Sequence, residues 1–268
     1  MDNPILMDIS LHVNTIDQLI QIEKGIHYTE LPSPGRAPFV VVRRESEIIL
    51  SAPHGAMTFR NNNDEIWHEE DEYTAGMALL LSEICGTSVI ATIWRTADSD
   101  PNEHGEQRSS YKQELRRLAE TTNVRWLIDL HGASEDSDKL APEQKIDLGI
   151  GKDNEYLPKI AHASLVGILD KYLGKGVTDR NGKNGFSAKD KNRIAAFAHQ
   201  PLGLGLNSVQ IEMKPSVRVP LRRIDSSTYQ KSSSEYGGPY SAPSKNVLGM
   251  MQSLVEFIEY LKTYKESA

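Results

Sequence analysis

The chain has 268 residues, 38% of them apolar and 25% charged, with a net charge of -7. This composition excludes disordered and fibrous classes, and the negative balance argues against a nucleic-acid partner, which calls for a basic stripe. No apolar run reaches the roughly 18 residues of a membrane span, and the length suits one large α/β domain.

Residues 1–36 are weakly patterned and end in the turn-rich LPSPGR, which reads as an N-terminal flap or edge element of a single domain whose core is 37–268. The opening MDNPILMDIS carries acids where a secretory leader carries lysines, so a cytoplasmic location is expected. Two strands follow, Phe39–Val42 and Glu47–Ala52, rich in Val and Ile. The second opens the stretch IILSAPHG, an apolar run that stops at His54-Gly55.

The acid-rich WHEEDEY then leads into a helical pattern over Asp71–Cys85, closed by Gly86 as a C′ glycine. Negative charge at a helix start suits the macrodipole, and one of these carboxylates could also coordinate a metal. Cys85, the one cysteine, lies in ALLLSEICG and reads as a buried structural thiol. A strand is predicted over Ser88–Trp94, and a helix over Ser109–Glu120 with Tyr111, Leu115 and Leu118 on one face.

A second apolar run, RWLIDLHG, places a strand at Arg125–Leu130 and again stops at a histidine and a glycine, His131-Gly132. Asp129, two residues before His131, shares its side of the strand and can accept its ring N–H, or serve as a structural acid at the strand end. Strands at Ile146–Ile150 and Val209–Met213 and helices at Tyr156–Leu173 and Lys245–Tyr264 follow, with long polar loops at Lys175–Arg193 and Ser226–Ser244. Alternating strands and helices predict a three-layer α/β/α sandwich with a mostly parallel mixed sheet.

In such sheets ligands bind beyond the carboxyl ends of the strands, where His54 and His131 both fall. Imidazole is the commonest zinc ligand, and a catalytic zinc takes three protein ligands and a water. The stretch VQIEM puts a carboxylate, Glu212, inside a strand, which is costly unless it is paired or functional, and a zinc hydrolase needs such a base.

Taken in order, SAPHG, EDEYTAGMA, Asp100-Pro101-Asn102, LIDLHG and VQIEMKPSVR resemble the landmarks of the N-formylglutamate amidohydrolase family, which is related to zinc carboxypeptidases and aspartoacylases. The resemblance covers residues 51–218 and implies a zinc-carboxypeptidase-like fold holding one Zn2+ ion. It makes His54 and His131 ligands and Glu212 the base and later the acid. The third ligand is an acid of EDEYT: matching Thr74 and Met77 to the family helix selects Asp71, and a one-residue slip selects Glu72. Arg95 resembles a family arginine and is expected at the developing oxyanion. Asn102, Arg108 and Arg218 are expected to bind substrate.

Two positions depart from the related patterns. Met57 stands where carboxypeptidases carry a glutamate three residues after the first histidine, and Glu103 stands where the family has an arginine after its Asp-Leu-Asn motif. The expected activity is hydrolysis of an amide bond in an N-acyl amino acid or small acidic peptide. Trimming of γ-glutamyl or cell-wall peptides is the alternative within metal hydrolases, and a non-catalytic binding protein of the same fold is the alternative outside them. The expected partner is a small-molecule or short-peptide substrate, with neither nucleic acid nor membrane. Manganese, iron or cobalt also suits an N/O ligand set.

Overall fold

The stretches IILSA, SVIAT, WLIDLHG and NSVQIEM become the central strands of one sheet, covered by helices on both faces. The computed structural model describes residues 11–61, 66–135, 140, 141, 143–179, 188–227 and 241–265. Helix α1 (Val13–Glu23) precedes strands β1 (Phe39–Val42), β2 (Ile48–Ala52), β3 (Thr58–Asn61) and β4 (Ile66–His68). Then come α2 (Thr74–Cys85), β5 (Ser88–Thr92), β6 (Thr96–Ser99), a 3-10 turn (Glu106–Arg108), α3 (Ser110–Glu120) and β7 (Trp126–Gly132). The chain continues through β8 (Ile146–Gly149), α4 (Lys159–Leu173), β9 (Thr178–Asp179) and α5 (Ile194–His199). It ends with β10 (Asn207–Met213), α6 (Pro215–Arg218) and α7 (Ser244–Thr263).

The main sheet has the order β1-β5-β2-β7-β10-β8-β9. Strands β5, β2, β7 and β10 run parallel, while β1 is antiparallel to β5, and β8 is antiparallel to β10. The parallel strands are buried almost throughout, which is why their sequences lack polar alternation. One face packs on α1, α2, α4 and α7 through residues such as Leu19, Leu50, Leu81, Leu165 and Leu254. The other packs on α3 and α5 through Ile49, Ile90, Leu115, Leu127 and Phe197. The result is an α/β/α sandwich with a mostly parallel mixed sheet.

Several boundaries differ from the sequence-based expectation. Helix α2 starts at Thr74 and not at Asp71, because Tyr73 takes a left-handed conformation with φ 67° that cannot continue a helix backwards. Helix α4 starts at Lys159 instead of Tyr156, after an extended Pro158. The segment expected to be a flap contains α1, whose buried Ile16 and Leu19 belong to a helix packed on α2 and α7. A small sheet of order β4-β3-β6, not expected from the sequence, follows directly from the end of β2. Parts of the two long loops, 180–187 and 228–240, lie outside the described residues. No helix among the described residues is long and apolar enough to cross a membrane.

Candidate metal centre

Strands β2, β7 and β10 are neighbours in the sheet, so their carboxyl ends deliver His54, His131 and Glu212 to one edge. Neither glycine after the two histidines has a positive φ, and both serve close approach. A Cβ on Gly55 would sit 2.3 Å from the Ala75 Cβ and 2.5 Å from the Thr92 carbonyl oxygen. Its absence lets the start of α2 come against the end of β2, where the Asp71 N–H donates to the His54 carbonyl at 2.7 Å. A Cβ on Gly132 would lie 2.7–3.0 Å from the guanidinium of Arg218.

The segment before α2 sends Glu70, Asp71 and Glu72 to three different places. Glu70 accepts from the backbone N–H and hydroxyl of Ser227 at 2.7 and 2.8 Å. Asp71 turns toward the histidines, with Oδ2 3.6 Å from His54 Nδ1 and 3.5 Å from His131 Nδ1. Glu72 is paired with Arg222 at 3.0 Å. None of them lies in the first turn of α2, so the expected macrodipole role fails. Glu23, the last residue of α1, instead caps the start of α2, accepting from the N–H groups of Tyr73 at 2.7 Å and Gly76 at 3.2 Å.

The imidazoles of His54 and His131 are oriented from behind. His54 Nε2 donates to Asp100 Oδ1, and His131 Nε2 donates to Asp129 Oδ2, both at 2.9 Å. A carboxylate on each Nε2 fixes the ring proton there and leaves Nδ1 as the free donor. His54 Nδ1 is buried and has no hydrogen bond.

The two Nδ1 atoms and a carboxylate oxygen of Asp71 lie within 4.8 Å of one another and are buried. Two ligands bound at about 2.0–2.2 Å to one tetrahedral ion stand roughly 3.4 Å apart. The distances of 3.5 and 3.6 Å to Asp71 fit that requirement.

Electrostatics agree with the geometry. Burial opposes charge on His54, but Asp100 and Asp71 outweigh it and raise the imidazole to about 9. His131 is likewise raised by Asp129 and Asp71 against the opposing effect of burial. Burial would raise the Asp71 carboxyl, yet the imidazoles of His131 and His54 beside it hold it well below the usual range.

Glu212 lies opposite His131 in the parallel register and is 6% exposed. Burial raises its pKa, and the neighbouring His131 opposes that rise. Asn102, expected at the substrate, is buried, and its side-chain oxygen accepts the Ile194 N–H at 2.9 Å. Its Nδ2 packs 3.5 Å from His131 Nε2, a meeting of two donors and therefore no hydrogen bond.

The arginines are distributed differently from expectation. Arg218 donates Nε to the Met213 carbonyl at 2.9 Å and Nη1 to the Glu72 carbonyl, which anchors its guanidinium beside Gly132. Arg108 is exposed in the 3-10 turn, and its side chain has no hydrogen bond or ion pair among the described residues. Arg95 stacks on Trp67 with Cζ 3.9 Å from the ring centroid, and its Nε is buried without a hydrogen bond.

Sequence reasoning missed three contributors. Asp100 belongs to the quoted Asp-Pro-Asn stretch, but nothing in the spacing ties it to His54. His68 stacks on His54, with centroids 4.0 Å apart. His54, His68 and Asp100 also form a possible ligand group, but the 2.9 Å hydrogen bond already occupies the nitrogen they would share. Gln210 donates to Glu212, and its position two residues away on the same strand face was the available signal.

No family model matches the chain, and no curated protein matches it. Among solved structures, an N-formylglutamate amidohydrolase from Ralstonia eutropha is 14% identical with a TM-score of 0.50, covering 85% of this chain and 98% of that one. A gene product of Agrobacterium tumefaciens is 11% identical with a TM-score of 0.51, over 87% of this chain and 97% of that one. A bacteriophage poly-gamma-glutamate hydrolase is 13% identical with a TM-score of 0.47, over 86% and 91%. The first two likenesses show a shared fold.

Proposed function

We propose that the protein is a zinc-dependent amidohydrolase acting on an amide bond of an N-acyl amino acid or small acidic peptide. The observation that carries this reading is the convergence of His54, Asp71 and His131 on one buried point, with the carboxylate of Glu212 beside them. The fold shared with an N-formylglutamate amidohydrolase supports an acylated amino acid as the substrate class. A binding module has no need of a buried base.

A divalent cation held by His54 Nδ1, His131 Nδ1 and Asp71 supplies Lewis acidity and acidifies water at neutral pH. Asp100 and Asp129 keep both rings in the ligating tautomer. Glu212 accepts a proton from the attacking water and returns it to the leaving amine, and its raised pKa helps it hold that proton between the two steps. Arg95, whose Nε is buried without a hydrogen bond, is assigned to the charge developing on the carbonyl oxygen.

A second reading, trimming of γ-glutamyl or cell-wall peptides, draws on Glu103. It replaces the family's arginine and faces Arg193 at 3.8 Å. The test is amine release by zinc-loaded protein from N-formyl and other N-acyl amino acids and from γ-glutamyl and short acidic peptides. Glu212→Gln is expected to keep its zinc and lose about 10²–10⁴-fold in rate. Full zinc occupancy without turnover on any of these compounds would instead indicate a binding protein.

A further inference from the structure

Glu212 receives one side-chain hydrogen bond among the described residues: Gln210 Nε2 donates to its Oε1 at 2.7 Å. Both residues are buried, at 3% and 6% exposure. They are two apart on β10 and project from the same side of the strand. The parallel register sets Gln210 opposite Asp129 and Glu212 opposite His131. Two adjacent strands therefore carry the same arrangement: Asp129 behind His131, Gln210 behind Glu212.

We propose that Gln210 is the positioning residue of the base, tying down Oε1 of Glu212 so that Oε2 is the oxygen that exchanges the proton. The inference rests on the reading of Glu212 as that base. Oε2 has no hydrogen bond among the described residues, so it is the carboxylate atom left to exchange a proton. A primary amide suits this task chemically. A lysine would pair with Glu212 and blunt its basicity, and a second carboxylate would repel it; the amide donates while staying neutral. The arrangement has a cost, because Gln210 Oε1 is left buried without a partner. Buried polar groups are normally satisfied, and the exceptions concentrate where geometry serves function. A glutamine needed only for folding would gain by turning both ends toward partners.

The test is Gln210→Met, which keeps length and volume but removes the donor. It is assayed on whichever of N-formylglutamate or γ-glutamyl dipeptide the parent hydrolyses, alongside Glu212→Gln and the double variant. The expected result for Gln210→Met is a fall of tenfold or more in kcat, with KM within twofold, one zinc per chain and an unchanged melting transition. In the Glu212→Gln background the same change should cost nothing further, because Gln210 acts through Glu212.

Parent-like kcat in Gln210→Met, with Glu212→Gln inactive, overturns this inference alone. So does a fall in kcat that accompanies loss of zinc or of cooperative melting, since a merely structural glutamine produces that pattern. Full activity in Glu212→Gln, or no hydrolysis of either compound by the parent, overturns the inference together with the reading it rests on.

Discussion

His54 and His131 stand with ring centroids 4.9 Å apart and planes at 74°, each turning Nδ1 toward the same oxygen of Asp71. Each ring is held there by a buried carboxylate on its far nitrogen, Asp100 in one case and Asp129 in the other. Removing such a partner typically costs 10–100-fold in metal affinity. Asp100→Asn and Asp129→Asn should each weaken zinc binding by about that factor in chelator competition. Parent-like affinity in both variants would show that the carboxylates do not orient the ligands.

The neighbouring acids of the turn should separate cleanly. Asp71→Ala is expected to abolish tight zinc binding with a modest effect on folding. Glu72→Ala should keep the zinc and lose about 3–5 kcal/mol of stability, because it leaves the buried Arg222 guanidinium without its counter-charge. Denaturant titrations and metal analysis on the same two preparations check this, and zinc loss confined to Glu72→Ala would reverse the assignment.

The two strand-end glycines make a steric prediction. Gly55→Ala places a methyl 2.5 Å from the Thr92 carbonyl oxygen and 2.3 Å from the Ala75 Cβ, neither of which is the end of a flexible chain. Gly132→Ala meets Arg218 at 2.7–3.0 Å, where a guanidinium can shift. Overpacking costs about 1–3 kcal/mol, and Gly55→Ala should lie at or above the upper end while Gly132→Ala lies toward the lower. Equal, negligible losses in urea unfolding would rule out close packing as the reason for either glycine.

A pH effect follows from Glu23. Burial raises its carboxyl from 4.5 to about 7, against hydrogen bonds from Tyr28 and Tyr73 and the charge of Arg223, with Glu72 adding to the rise. The unfolded chain therefore loses this proton near pH 4.5 and the folded protein only near pH 7. Stability falls as pH rises through that window, by on the order of 3 kcal/mol from this group. Glu23→Gln should flatten that slope relative to the parent. Parallel stability–pH curves for the two proteins between pH 5 and 8 would contradict the assignment.

The sheet was legible because strands such as IILSA and SVIAT are short, Val- and Ile-rich and free of charge, as suits strands buried on both faces. Helix α1 was not, because the stripe of buried Ile16 and Leu19 continues into Glu23, a charged residue where the periodicity calls for an apolar one. The strands of the small sheet are three or four residues long, too short for any pattern to register. At the site, His54, His131 and Glu212 could be found because each ends or interrupts an apolar run. The choice between Asp71 and Glu72 could not, because it depends on the left-handed turn at Tyr73, which directs successive side chains to different partners. The roles of the arginines were not legible for a related reason: charge marks a residue without saying what it faces, and Arg218 donates to a pair of backbone carbonyls that no sequence pattern announces.

Whether one cation sits among His54, Asp71 and His131 is measured most directly by elemental analysis of the purified protein after zinc loading and desalting, with His54→Ala and His131→Ala treated identically. One zinc per chain in the parent and almost none in either folded variant is the predicted result. Equal zinc in all three proteins, or none in the parent, would contradict a shared metal site at this sheet edge.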